Sequence, residues 1–453
     1  MTKKAIRMGL TVFAFMMFAA FPLWGGGEGQ TGAALKGMDI TIGNWWADWD
    51  VATRKANSDA EERLIAYRTK IQKDYGFKIR EKNISSWEQM VQLAATSTMT
   101  GKPAASIFVL QPNWAMMLYS QKLLYPISDS KAIDLSAVKP VEWNHDVSAA
   151  FTFGGKAYAF SVGYGTSQHA MGVFFNKRLY EEAGLDPNLP YDMQKAGTWT
   201  WNAFMDICKK LTRDINNDGI IDTYAFTADL STEMLDAIVA SNGANYVDKD
   251  ASGKFVNASG RPEFLQVLQY ALRLNNEGVL MPRPQDSNWD WYKPMFLGGK
   301  VAMMVSQQYV AQELRNMADD WGFVLFPKGP NVSTYRYSSD ENVFVIPSTY
   351  SAAEVDKILF AFQLWHTPID DDPDAWKDDQ YSIYRDFRAV DETLTMIRDP
   401  KYGSMKYYVF IPGLERGDIA WNMWWDGVDP AQLVESVSQS WDALINDVNG
   451  IIK

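Results

Sequence analysis

Between residues 38 and 110 the chain switches repeatedly between two hydrophobic periods, and no other feature constrains the fold as much. Met38, Ile40 and Ile42 alternate with Asp39 and Thr41, the period of a strand with one buried face. Leu64, Tyr67, Ile71 and Tyr75 then recur three or four residues apart, as on one face of a helix, and Gly76 supplies a natural stop. Residues 77–81 return to strand, 87–98 read as a helix and 106–110 as a third strand. This order predicts a doubly wound α/β layer with a mostly parallel sheet. Ligands of such sheets sit beyond the carboxyl ends of the strands. Two polar, aromatic turns stand there: Asn44-Trp45-Trp46-Ala47-Asp48 and Gln111-Pro112-Asn113-Trp114.

One such layer cannot organise the whole chain. The start reads as an export signal, expected over residues 1–27. Lys3, Lys4 and Arg7 are basic, residues 9–21 are apolar but too few to span a bilayer, and Gly25, Gly26 and Gly27 follow. A retained membrane anchor is the alternative. No cysteine stands near the cleavage region, so no lipid is expected there, and the mature chain is expected to be periplasmic or otherwise extracytoplasmic. The remaining ~420 residues exceed the ~250–300 at which a single core stops growing, so two lobes are expected.

Composition narrows the function. Net charge is −12, and −15 without Lys3, Lys4 and Arg7. An acidic surface lacking any basic cluster argues against nucleic acid and anionic membranes as partners. The single cysteine, Cys208, lies at helical spacing with Phe204, Ile207 and Leu211 and reads as a buried apolar residue. There are 18 tryptophans, and Trp45, Trp46, Trp49, Trp87, Trp114, Trp289, Trp291, Trp421, Trp424 and Trp425 lie in polar or loop-like sequence. The apolar face of a pyranose ring stacks on indole, so this pattern favours a carbohydrate cleft.

The middle of the chain reads as a passage between lobes. Ala157, Tyr158, Ala159 and Phe160 form a short apolar strand that leads into a Gly/Ser/Tyr loop. A strand follows over 171–175, then Asn176 as a helix N-cap and Gly184 as a helix stop. The run Phe175-Asn176-Lys177-Arg178-Leu179-Tyr180-Glu181-Glu182-Ala183-Gly184 resembles the "YNKdLfeeAG" crossover of the extracellular solute-binding proteins of ABC importers, in their sugar-binding, maltose-binding-protein-like group. Thr198-Trp199-Thr200-Trp201 is similar to a further element of that family. So are Phe296-Leu297-Gly298-Gly299-Lys300-Val301-Ala302-Met303-Met304 and Trp321-Gly322-Phe323-Val324-Leu325-Phe326-Pro327, in the same order. Residues 341–347 and the helical stretch 351–365 resemble its return to the first lobe. Two features depart from it. Ala104 and Ala105 follow Pro103 where the family often has Pro-Asp, and the acidic stretch 369–379 has no counterpart.

The resemblance implies two doubly wound α/β lobes joined by hinge crossovers, of the periplasmic-binding-protein type II kind. It places the first lobe at 38–157 plus about 326–390, and the second at 158–325 plus about 391–453. It implies a monomer that closes on an oligosaccharide or related sugar and delivers it to the membrane permease of an ABC transporter. Hinges are expected near 157–162 and 326–328, with a third unplaced. The residues it offers to a ligand are Trp45, Trp46, Asp48, Trp87, Gln111, Asn113 and Trp114 in the first lobe, and Tyr164 and Gln168 in the crossover loop. Ser306, Tyr309, Asp340, Glu341, Trp421, Trp424 and Trp425 complete the set.

The sharpest local motif is Asp214-Ile215-Asn216-Asn217-Asp218-Gly219-Ile220-Ile221-Asp222. Asp214, Asn216, Asp218 and Asp222 stand at the first, third, fifth and ninth positions of an EF-hand-like loop, Gly219 at the sixth, and Ile220 offers its carbonyl at the seventh. Ala225 replaces the usual final Glu, so either a structural calcium ion or a plain turn fits; Asp229 or Glu233 could complete a shell. No catalytic residue is expected. His145, His169 and His366 lack metalloenzyme spacing, and no nucleophile elbow or phosphate loop is present. Asp48/Asp50 and Asp340/Glu341 would suit glycoside hydrolysis as well as hydroxyl binding. A secreted carbohydrate-active enzyme, or a binder of a non-sugar solute, is therefore the alternative.

Overall fold

The computed structural model describes residues 35–452 except 138, 164–169, 229–231, 289, 340–341, 371 and 373, and the side chain of Pro400. The expected signal peptide lies outside the described residues. Eight strands build two main sheets: β1 Asp39–Asn44, β2 Lys78–Asn83, β3 Ile107–Leu110, β4 Met171–Asn176, β5 Tyr224–Ala228, β6 Val301–Gln307, β7 Trp321–Leu325 and β8 Val343–Val345.

The first sheet has the order β8-β3-β1-β2. β1 pairs in parallel with β2 and β3, and β8 closes the edge antiparallel to β3. The helices between these strands begin and end where local chemistry dictates. In Asp59–Tyr75, the Ser58 side chain accepts from the Glu61 amide, three acidic residues occupy the first turn, and Gly76 is left-handed. Helix Trp87–Met99 leads into β3, and helix Pro112–Ser120 follows it at once with Pro in its first turn.

The second sheet has the order β7-β4-β6-β5. Every residue of β4 and β7 is buried, as expected of strands covered on both faces. Gly172 lets the Phe323 ring lie on the β4 backbone, where an added Cβ would come within 2.5 Å of it. The mostly parallel pattern of the first sheet is not repeated. β4 runs antiparallel to both β6 and β7, and only β5 and β6, joined through helices, run parallel. β4 arrives directly from the passage between lobes and so runs against its neighbours.

Three crossings join the lobes. At the first, Phe160 and Phe344 exchange backbone hydrogen bonds of 3.1 and 2.8 Å before the chain passes to β4. At the second, Lys328 is clasped by Trp199 and Trp201, at 3.1 Å each, as the chain leaves β7 for β8. The third is the acidic stretch. Helix Ala352–His366, opened by a Ser351/Glu354 capping box, packs on Asp59–Tyr75 and β2, and the chain then leaves for helix Trp376–Tyr381. From there it belongs to the second lobe: Tyr384 packs on Trp321 and Phe323, and Lys177 pairs with Asp386 at 2.5 Å. The boundary expected near residue 390 therefore moves back to about residue 370. A polar linker carries no apolar period, so the sequence did not mark it.

One core cluster lies under the first sheet, around Ile40, Phe160, Phe362 and Trp365. The other runs through the second lobe and reaches the first, where Phe151 meets Phe410 at 4.8 Å, with Phe255 stacked behind it at 5.7 Å.

Candidate functional site

The carboxyl ends of β1, β2 and β3 carry a cluster of four indoles. Asn44, buried at the end of β1, accepts from the amides of Trp46 and Ala47 at 3.0 and 3.1 Å and donates to the Ala47 carbonyl. This Asx-type turn swings the chain outward and presents two adjacent rings. Trp45 meets Trp46 edge to face at 4.9 Å and Trp114 edge to face at 5.2 Å, and Trp87 lies tilted against Trp114 at 5.5 Å. Trp114 is the foundation, 7% exposed, while Trp46 and Trp87 keep 51% and 50% of their surface open. Half-exposed rings propped on a buried one form a rigid apolar platform. Asp48 is exposed and accepts from the Asn83 amide at 2.8 Å, while Gln111 and Asn113 are half-buried at the start of helix Pro112–Ser120.

Polar groups gather at the carboxyl ends of β5 and β6. Gln307 donates to Glu233 at 3.0 Å, and the Gln308 amide donates to the Ala170 carbonyl, where the first crossing ends. Glu233 also lies 3.7 Å from Arg416 and 3.9 Å from Lys406. Beneath it Asp236, 1% exposed at its side chain, takes Lys406 at 2.9 Å, Arg416, and the Tyr408 hydroxyl at 2.9 Å. Burial pushes the Asp236 carboxyl up, but Arg416 and Lys406 outweigh it and hold the group below the usual carboxylate range. Its second oxygen has no hydrogen-bond partner among the described residues. The formal charges of Glu233, Asp236, Lys406 and Arg416 cancel, so this cluster is polar but neutral overall. Tyr309, exposed, lies 5.9 Å from the Lys293 ammonium, which also pairs with Glu313 at 2.9 Å.

Several expected residues fall elsewhere. Tyr164, Gln168, Asp340 and Glu341 lie outside the described residues. Trp424 is buried and holds Asn275 through its carbonyl, so it is core rather than an exposed platform. Ser306 is buried within β6, opposite Gly172. Trp421 and Trp425 remain exposed at the end of helix Gly417–Trp424. Glu233 belongs to the Gln307–Arg416 group and is not available to the loop over 214–222. Sequence reasoning missed Asp236, Gln307, Lys406 and Arg416 as a group, because the contacts join segments far apart in the chain.

The 214–222 loop has the hard oxygen donors that suit calcium. Asp214 accepts from the amides of Asp218 and Gly219, Asp218 from Ile220, and Asp222 from Ile215 and Asn216. Asn217 and Gly219 adopt positive φ and turn the loop. Ile220 is exposed. As placed, the carboxylates face the loop's own amides, and no group of three or more acidic, His or Cys side chains among the described residues is arranged to hold a metal. Among those residues, too, no helix is long and apolar enough to cross a membrane.

A family model described as bacterial extracellular solute-binding protein matches residues 56–362. A search of curated proteins finds no match. Among solved structures, the chain is similar to the cyclic alpha-maltosyl-1,6-maltose binding protein of Arthrobacter globiformis, at 14% identity and a TM-score of 0.64, covering 90% of this chain and 99% of that one. It is similar to the GacH receptor of Streptomyces glaucescens, solved with acarbose, at 13% identity and 0.60, covering 90% and 99%. UgpB of Mycobacterium tuberculosis, solved with glycerophosphocholine, matches at 14% identity and 0.63, covering 90% and 98%.

Proposed function

The chain belongs to the bacterial extracellular solute-binding protein family, and we propose that it captures a neutral carbohydrate of several rings between its lobes and passes it to the membrane permease of an ABC transporter. The observation that carries this reading is the Trp45–Trp46–Trp87–Trp114 platform at the strand ends. Exposed indoles cost hydration free energy unless a flat apolar partner covers them, and the face of a sugar ring is such a partner. The charge-balanced group around Glu233 favours a ligand rich in hydroxyls over an ionic one. Two of the three neighbours are described with oligosaccharides or their analogues, the third with a glycerophosphodiester. The protein acts as an exported monomer with a cleaved signal peptide, and it binds without turnover.

The test is a thermal-shift and calorimetric screen of tri- and tetrasaccharides, with glycerophosphocholine as the contrasting ligand. A ligand specific to the native state raises the melting temperature. Stabilisation by an oligosaccharide that is recovered intact supports the reading. Stabilisation by glycerophosphocholine alone, or release of shorter sugars, overturns it.

A further inference from the structure

We propose that Arg68 is a positioning residue for ligand capture: wedged between Trp49 and Trp365, it ties the loop bearing Trp45 and Trp46 to the start of the third crossing, so that closure of the lobes and the aromatic platform move as one. The inference rests on the reading of that platform as the ligand wall.

The guanidinium carbon of Arg68 lies 4.3 Å from the Trp49 ring centre and 3.9 Å from that of Trp365. The two indoles themselves meet edge to face at 5.2 Å. A planar cation between two rings is attracted to both and is weakly hydrated, so it tolerates burial where an ammonium does not. On the Trp365 side, the Arg68 Nε donates to the Trp365 carbonyl at 3.2 Å, and the neighbouring Tyr67 hydroxyl donates to the Leu364 carbonyl at 3.0 Å. These are free carbonyls of the last helical turn before the third crossing. On the other side, Trp49 exchanges both backbone bonds with Glu81, at 3.0 and 2.9 Å, and the Glu81 carboxylate accepts from the Trp365 indole at 3.3 Å. The segment 44–49 is thus anchored by Asn44 at one end and by Trp49 at the other. The second anchor answers to the helix end from which the chain leaves for the second lobe.

The experiment uses the mature chain, with maltotriose, cellotriose and mannotriose as probes, and hydrogen exchange read peptide by peptide. Arg68→Met is expected to raise exchange in 44–51 and 364–370 together, leaving β1 and β3 protected. It should weaken whichever trisaccharide binds about tenfold. Arg68→Lys should move both readouts the same way, Trp49→Phe should stay near the parent, and Trp49→Ala should match Arg68→Met. The double variant Arg68→Met/Trp49→Ala should be no worse than either single one, since both break one link. Unchanged exchange in 44–51, a uniform rise across the first lobe, or additive losses would overturn the proposal. If no trisaccharide binds the parent protein, the ligand reading fails, and the paired rise in exchange still decides whether Arg68 makes the link.

Discussion

At the scale of single residues, two desolvated titratable groups, one of them half-buried, set the response to pH and mutation. Burial drives the His366 imidazole, stacked on Phe362 at 3.9 Å, down to about 3, with the Arg68 charge acting in the same direction. The folded state therefore holds His366 neutral while the unfolded chain takes up a proton below its ordinary value of 6.5. Stability on this account falls as pH drops from about 6.5 towards 3. His366→Gln should lose part of that slope, by about 2 °C or more in melting temperature between pH 6 and pH 4. Parallel melting curves for parent and variant across that range would refute the assignment. Asp236 is shifted in the same direction by a different cause: against the push of burial, the charges of Arg416 and Lys406 depress its carboxyl, which contributes stability above the ordinary carboxylate range and loses it as pH falls through the folded value. Asp236→Asn removes the buried carboxylate that Lys406 and Arg416 share, leaving the longer contacts to Glu233, and should cost about 3–5 kcal/mol, read as a lower urea midpoint.

At the scale of elements, rings that look alike in sequence have different jobs. Trp46→Ala with Trp87→Ala should weaken sugar binding by about 2 kcal/mol or more with little change in melting temperature, because both rings are half exposed. Trp114→Ala should instead cost about 3–5 kcal/mol of stability, since it removes the buried foundation. Calorimetry and melting curves on the two variants separate these outcomes. The loop over 214–222 gives a further expectation, resting on the spacing of its oxygens. Calcium at millimolar concentration should raise the melting temperature and a chelator should lower it; superimposable curves would reduce the motif to a turn. Much of this scale was legible: the period switches before Leu110 marked β1 to β3, and Asn176 announced a helix start that its side chain does cap. What was not legible depends on which face a helix turns inward. Trp421, Trp424 and Trp425 read as one aromatic cluster, yet Trp424 is buried while the other two stay exposed. The pairing of Glu233 with Gln307 and Arg416 likewise needs three distant segments to meet, and no local pattern encodes that.

At the scale of the whole molecule, the three crossings make the lobes interleave along the chain, and this has a consequence in time. The first sheet receives its edge strand β8 and its covering helix Ala352–His366 only after the entire second sheet has been made. The second lobe in turn waits for its last cover, helix Pro430–Ile451, which packs against strand Phe255–Asn257. A chain cut at residue 330 should consequently expose β3 as an unpaired apolar edge and be digested by protease far faster than the full chain. Comparable resistance of the two would show that the first lobe closes without its late strand. A polypeptide whose lobes each wait for a late segment of their own cannot complete a domain until most of it has emerged. It stays threadable until nearly all of it is present, the condition under which a long chain can be drawn through a narrow translocation pore.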